Sequence, residues 1–306
     1  MMGPRTINFQ VCLKDDQNKK GAAQLTIQGK ALVTIKLSKS ELKPLGDSDN
    51  KKADPHCVSN PKSDTCRRII DFAKVDTSTL VLSVKDQLGK GIADYPLWIK
   101  TGVKDSSGGH DHTAGRPLGR LVTSGKDTVY SFHGKTDSTG ICRFIYLCSG
   151  FGGYDSIYVE GLTKKDTASL TILVRISKFD SLESGAHYVL IGQYGTGNVS
   201  SKHRMNHFGS LKLIGKLKAL ADSLYVVRGH ILRINDISIQ FGGPFDISND
   251  WNTPHQNHRE GASVDIDDVD ANDHVVDPEY LERIVTSRGF KGTFANEGNH
   301  FHISFR

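Results

Sequence analysis

The stretch Asp76-Thr-Ser-Thr-Leu-Val-Leu-Ser-Val-Lys-Asp86, followed by Gly89-Lys-Gly-Ile-Ala-Asp-Tyr-Pro96, sets the reading of the first half of the chain. Its apolar residues alternate with polar ones at the two-residue period of a half-buried strand. Ile27, Val33, Ile35 and Leu37 alternate around polar residues upstream, and Leu97–Thr101, Cys142–Leu147 and Leu170–Ile176 repeat the pattern downstream. Clusters of Gly, Asp and Asn separate these runs at hairpin spacings. Residues 26 to 176 therefore read as strands throughout, and short strands with such turns predict an all-β sandwich.

The same run, its Gly89–Pro96 continuation and the later Thr136-Asp-Ser-Thr-Gly140 turn before an apolar strand resemble bacterial immunoglobulin-like domains of the invasin type. The resemblance spans residues 26 to 176, interrupted by a polar insertion near 46–70. It implies a spacer or adhesive module and a contact with a cell surface, and it implies no catalysis.

The second half has a different texture. Residues 177–208 are polar, contain glycine and show few periodic apolar positions, so they are expected to form a linker. Leu213, Leu217, Leu220 and Leu224 then recur at helical spacing. Strand-like text follows at Tyr225–Arg228, Ile231–Ile234 and Ile237–Phe241, ending in the Gly242-Gly243-Pro244 turn. A second helix is expected with Asp277 as cap, Pro278 at its first position and Gly289 closing it. The chain finishes with the alternating strand His300–Phe305. Helices beside short strands predict an α+β domain with a small antiparallel sheet. The expected organisation is multi-domain: a β-sandwich over 1–176, a linker over 177–208 and an α+β domain over 209–306.

Composition excludes several classes. At 306 residues, with 37% hydrophobic and 24% charged residues, the chain suits two globular domains. No apolar run approaches the about 20 residues that span a bilayer, and Met1–Arg5 lacks the apolar core of a signal peptide. The net charge of +5 is modest and shows no dense basic stripe, which argues against nucleic acid as a partner. From Asp250 to Glu279 acidic residues dominate and Arg259 is the one Lys or Arg, so the basic surplus lies elsewhere.

The chemistry concentrates in that acidic region and the terminal strand. The segments are His255-Gln-Asn-His258-Arg-Glu-Gly261-Ala-Ser-Val-Asp265-Ile-Asp267 and Glu297-Gly-Asn-His300-Phe-His302-Ile-Ser. Strand alternation places His300 and His302 on one face. Gly261 permits a tight turn after His258, and Val264 and Ile266 then bury on the side opposite Asp265 and Asp267. Two short strands can thus bring two imidazoles and a carboxylate to one point, a donor set that suits zinc.

His258-x-x-Gly261-x-x-Val264-Asp265-Ile266 together with His300-x-His302 resembles the paired motifs of the LAS zinc metallopeptidases. These are the lysostaphin-type, D-Ala-D-Ala-type and hedgehog-type domains, and the Pro254-His255-x-x-His258 start is most similar to penicillin-insensitive murein endopeptidases. The resemblance runs from the helix near 211 to the terminus. It implies Zn2+ held by His258, Asp265 and His302, with His300 lining the site, Glu297 or else a histidine as the general base, His300 as an oxyanion donor, and His255 as a second such donor or a hydrogen-bond partner of a ligand. Glu297 stands five residues before His302, a spacing that differs from both the dipeptidase and the hedgehog pattern. The implied activity is hydrolysis of an amide bond in peptidoglycan stem or cross-link peptides. The alternative is a non-catalytic zinc domain serving binding or adhesion through the β-sandwich, as some hedgehog-type relatives permit. Either function places the protein in a secreted, periplasmic or cell-surface setting, with a cytoplasmic one still open.

Three further features are ambiguous in the sequence. Cys57 with Cys66, and Cys142 with Cys148, have spacings that admit a bridge, with Cys12 left over; buried free thiols are the other reading. His110-Asp-His112 lies in a Gly/Ser-rich insertion, expected to be a mobile polar loop or else a metal or interdomain contact. Asp268 to Glu279 imitates a calcium loop, but Asp273 stands where the loop needs glycine, so a solvated acidic loop is expected.

Overall fold

The computed structural model describes residues 5–13, 16–27, 31–45, 75–111, 115–122, 128–163, 166–193, 195, 201–247, 251 and 257–305. Strands β1 (Arg5–Leu13) and β2 (Asp16–Ile27) form an antiparallel hairpin, of which the backbone is described. Cys57, Cys66, His112, His255 and the 46–70 insertion lie outside the described residues.

Residues 31–176 build two five-stranded sheets. The strands are β3 (Leu32–Leu37), β4 (Glu41–Leu42), β5 (Thr77–Lys85), β6 (Pro96–Lys104), β7 (Arg120–Val122), β8 (Thr128–Val129), β9 (Ser131–Lys135), β10 (Ile141–Leu147), β11 (Gly153–Glu160) and β12 (Thr167–Val174). One sheet has the order β3-β5-β10-β7-β8 and the other β4-β12-β11-β6-β9. Alternation in β5 buries Ser78, Leu80, Leu82 and Val84 and exposes Thr77, Thr79 and Lys85. Leu80, Leu82, Tyr146 and Leu121 from the first sheet share one core with Ile99, Ile157, Ile172 and Val174 from the second. The first strand changes sheets, since β3 lies beside β5 while β4 runs parallel to β12. With that switch the two orders match the A-B-E-D and C-F-G sheets of an immunoglobulin-like sandwich.

Cys142 and Cys148 are free thiols, so the bridge that their spacing admits does not form. Cys142 lies in the extended strand β10 and Cys148 just beyond its end. A strand rises about 3.3 Å per residue, which carries positions six apart far beyond disulfide reach.

The remaining chain contributes β13 (Phe179–Ser181), β14 (Tyr188–Leu190), β15 (Phe208–Ser210), α1 (Leu211–Arg228), β16 (Leu232–Ile234), β17 (Ser263–Asp267), α2 (Pro278–Val285), β18 (Thr293–Asn296) and β19 (His300–Ser304). The main sheet has the order β14-β16-β17-β19-β18, with β14 parallel to β16 and the other pairs antiparallel. Ser210 Oγ accepts from Leu213 N–H to start α1, and Gly229 in the left-handed conformation ends it. Its face of Leu213, Leu217, Leu220 and Leu224 packs on Ile234, Val264, Ile266, Phe301 and Ile303 of the sheet.

Three boundaries differ from the sequence reading. Residues 177–208 are not a plain linker: β13 pairs with β15, β14 pairs with β16, and Leu182 and Tyr188 are buried. Three-residue strands are too short to carry a readable period. Tyr225–Arg228 belongs to α1, because Gly229 stops the helix there; Val226 and Val227 stay exposed in its last turn. Helix α2 starts at Asp277 and Pro278 as expected but ends at Val285, capped by Thr286 and not by Gly289.

The segment between β6 and β7 is fixed to the sandwich by Arg116. Its guanidinium donates to Lys104 O, Ser107 Oγ and Phe151 O and pairs with Asp155 at 3.2 Å. Asp155 also accepts from Tyr146 Oη and Ser149 N–H. Arg116 is 3% exposed and Asp155 is fully buried. Exchanging Arg116 for Met leaves that carboxylate buried without its cation, and the expected loss is about 3–5 kcal/mol, read as a lower urea midpoint of unfolding.

Candidate metal centre

Strands β17 and β19 build the centre through their register. Asp265 faces His302 and Asp267 faces His300 across the antiparallel pair. Cross-strand partners and alternate residues share a face, so these four polar side chains project together. Val264, Ile266, Phe301 and Ile303 project to the other face and meet α1 in the core. His258 enters from the turn before β17, where Gly261 adopts φ +57° and its N–H reaches His258 O.

One donor atom each from His258, Asp265 and His302 lies within 4.8 Å of the other two. His258 Nε2 is 3.3 Å and His302 Nδ1 is 2.8 Å from Asp265 Oδ1. A tetrahedral ion with bonds of about 2.0–2.1 Å holds its donors roughly 3.3 Å apart, so this spacing fits zinc. The back of each ring is also arranged. His258 Nδ1 lies 2.8 Å from Ile237 O, which fixes the proton on that nitrogen and turns the Nε2 lone pair towards Asp265. His302 Nε2 faces Ser304 Oγ at 3.4 Å, and Ser304 Oγ meets Ser263 Oγ. Partners of this kind orient metal-ligating imidazoles. In the metal-free protein His302 Nδ1–H donates to Asp265 Oδ1, and an ion bound there would displace that proton.

His300 and Glu297 sit at the rim. His300 Nε2 is 3.2 Å from Glu297 Oε2 and 3.7 Å from Asp265 Oδ2, and its Nδ1 is 2.9 Å from Asn299 Oδ1. Glu297 is half exposed in the turn between β18 and β19 and meets the ligand trio through His300. Asp267 is half-buried, and burial holds its carboxyl above the usual range against a hydrogen bond from Asn235.

A second cluster of the same composition contains His110, for which a metal or interdomain contact is the second reading, and two residues that the sequence does not single out. His110, His203 and Asp246 each offer a donor within 4.8 Å of the others, and all three are buried. His110 therefore lies in no mobile polar loop: Arg116 anchors its segment, and the ring is packed against Phe151 and Trp251. His203 falls in the stretch expected as linker, and no local motif marks it.

The acidic loop after β17 has a buried member. Asp270 accepts from His230 Nδ1 at 2.9 Å and from the N–H groups of Asn272 and His274. Burial acts to raise its pKa, but these hydrogen bonds outweigh burial and bring it to about 2. A solvated acidic loop therefore describes its neighbours better than Asp270 itself.

No family model matches the chain, and no curated protein matches it. Among solved structures it is similar to the Yersinia pseudotuberculosis adhesin InvE, with 8% identity and a TM-score of 0.33 over 57% of this chain and 41% of that one. It is also similar to invasin, a bacterial integrin-binding protein, with 9% identity and a TM-score of 0.26 over 89% of this chain and 53% of that one. For domains 4 and 5 of the S-layer protein SbsC the values are 10% and 0.24, over 56% and 58%. The chain spans about half the length of these structures. At these scores the assignment of the sandwich rests on its own strand order. The resemblance of the second half to zinc peptidases rests on its two sequence motifs alone.

Two outcomes are expected from this geometry. A Cβ at Gly261 would stand 2.5 Å from Phe179 Cζ and 2.8 Å from Gly209 Cα, at a φ that disfavours side chains. Gly261→Ala should therefore cost at least about 1–2 kcal/mol in thermal unfolding and loosen His258. A carboxyl depressed on folding contributes stability above its unfolded pKa, and that contribution is lost as pH falls towards 2. Asp270→Asn should thus remove about 2 kcal/mol at pH 7 and flatten the stability profile between pH 4 and 2. An unchanged acid limb in urea titrations would refute this role.

Proposed function

We propose that residues 177–306 form a zinc-dependent amide hydrolase for peptides, with peptidoglycan stem or cross-link peptides as the substrate class. The convergence of His258, Asp265 and His302 on one face of the sheet, with a carboxylate and an imidazole at its rim, is the observation that carries this reading. The peptide class comes from the motif resemblance. A zinc ion bound there supplies Lewis acidity and lowers the pKa of water towards about 7.

The remaining roles belong to the chain. Ile237 O holds the His258 ring with its proton on Nδ1, and Ser304 Oγ stands behind His302 Nε2. Glu297, half exposed beside His300, accepts a proton at a carboxylate oxygen and returns it to the leaving amine. His300 Nε2 lies between Glu297 and Asp265, where it can turn to donate to a developing oxyanion. His255 is the second candidate donor.

A second reading is a non-catalytic binding module on the same frame. It is favoured by one surface on the outer face of β6, β9 and β11. There Trp98 stacks on His133, and Lys100 Nζ sits 4.6 Å over Trp98 and 5.9 Å over Tyr158. Partly exposed aromatics with a cation form an adhesive patch suited to a cell-surface or secreted setting.

Zymography on purified murein separates the two. Clearing that a chelator abolishes and zinc restores is expected of the hydrolase, whereas tight murein binding without soluble fragments would select the module. Glu297→Gln should lower turnover about 10²–10⁴-fold with zinc content retained. His302→Ala should lose this metal, and a variant that keeps its full zinc would overturn the ligand assignment.

A further inference from the structure

We propose that His110, His203 and Asp246 form a second metal site, taking a divalent ion such as Zn2+, that ties the β-sandwich to the C-terminal half. His110 comes from the segment between β6 and β7, and Asp246 lies 136 residues further along. His203 comes from the segment before β15. Three segments distant in sequence thus place their donors in one buried cluster.

The arrangement parallels the first centre. His110 Nδ1 is 3.1 Å and His203 Nε2 is 3.3 Å from the same oxygen, Asp246 Oδ1. These are the separations that a tetrahedral ion with bonds of about 2.0–2.1 Å sets between its donors. The carbonyl oxygen of Asp246, 2.8 Å from His203 Nε2, accepts the proton of that nitrogen in the metal-free protein, so loading the site displaces a proton. The other carboxylate oxygen, Oδ2, accepts from Trp251 N–H at 2.7 Å, which orients the group. Asp111 Oδ1 lies 3.3 Å from His203 Nδ1, within ion-pair distance but not hydrogen-bonded to it. Two imidazoles and a carboxylate suit zinc among common divalent ions and do not suit calcium or magnesium, which take oxygen sets.

The surroundings fit a structural ion. Exposures of His110, His203 and Asp246 are 2%, 0% and 1%. Rings close the cluster, with Trp251 and Phe151 packed on His110 and Phe245 on His203. The two halves also meet backbone to backbone nearby, where Phe241 N–H donates to Gly108 O and Ile176 N–H to Phe241 O. An ion here links the two halves at their junction and leaves the catalytic face alone.

Zinc per chain, measured by elemental analysis on the full-length protein after zinc loading and desalting, tests this. Two ions are expected in the wild type, one in Asp246→Asn, one in His302→Ala and none in the double variant. Cobalt titration of the metal-free wild type gives the same count without a mutation, with two equivalents producing tetrahedral absorption. A single ion that His302→Ala removes and Asp246→Asn keeps would overturn the second site. A single ion with the opposite behaviour would uphold it and sink the catalytic centre instead. A wild type without bound zinc or cobalt would overturn both.

Discussion

The register between β17 and β19 is the constraint from which the first candidate metal centre follows. Pairing Asp265 with His302 and Asp267 with His300 puts every polar group of the two strands on one side. The same pairing puts Val264, Ile266, Phe301 and Ile303 on the other side, against the leucine face of α1. A slip of one residue would send both sets to the wrong face. Burying each large apolar side chain is worth about 1.5–3 kcal/mol, so the core under the sheet holds the ligands in place above it. The site needs no special rigidity of its own beyond the two partners behind its histidine rings.

How the halves are joined depends on close backbone approach. A Cβ on Gly152 would fall 2.4 Å from Gly242 O, and one on Gly109 would fall 2.6 Å from Gln240 N. Glycine at both places lets the 239–242 loop lie directly on the sandwich. Arg116 then fixes the neighbouring segment from inside by pairing with Asp155, whose carboxyl burial alone drives upward. The buried ion pair and the glycine contacts together aim His110 at Asp246 across the junction.

Legibility in the sequence followed the range of each interaction. The convergence of His258, Asp265 and His302 was readable because alternation and one glycine turn are local rules, and two short motifs sufficed to state them. The sandwich was readable because strands such as Thr77–Lys85 are long enough to show a period. Residues 177–208 were misread because β13, β14 and β15 have three residues each and depend on partners far along the chain. The same blindness hid His203, whose cluster partner Asp246 stands 43 positions further along. Gly289 misled for another reason: a glycine near a helix end is a good stop signal, but Thr286 had already capped the last turn. The fates of Cys142 and Cys148 were decided by strand geometry that spacing alone does not reveal.

Glu297 shows where a motif and a structure carry different information. By spacing it is simply the acid before the second histidine pair. In the fold it opens the three-residue turn between β18 and β19, where its N–H donates to His300 O and Gly298 takes φ +98°. Asn296 accepts from Gly298 N–H and so tightens the same turn. The distance of five residues to His302 is thus what a short hairpin requires for a carboxylate to reach His300 at the rim. A glutamate one position nearer His302 would occupy Gly298, where the backbone needs the left-handed conformation. The departure from the familiar spacings is therefore a property of this turn, and the carboxylate still reaches Asp265 and its neighbours by way of the histidine beside it.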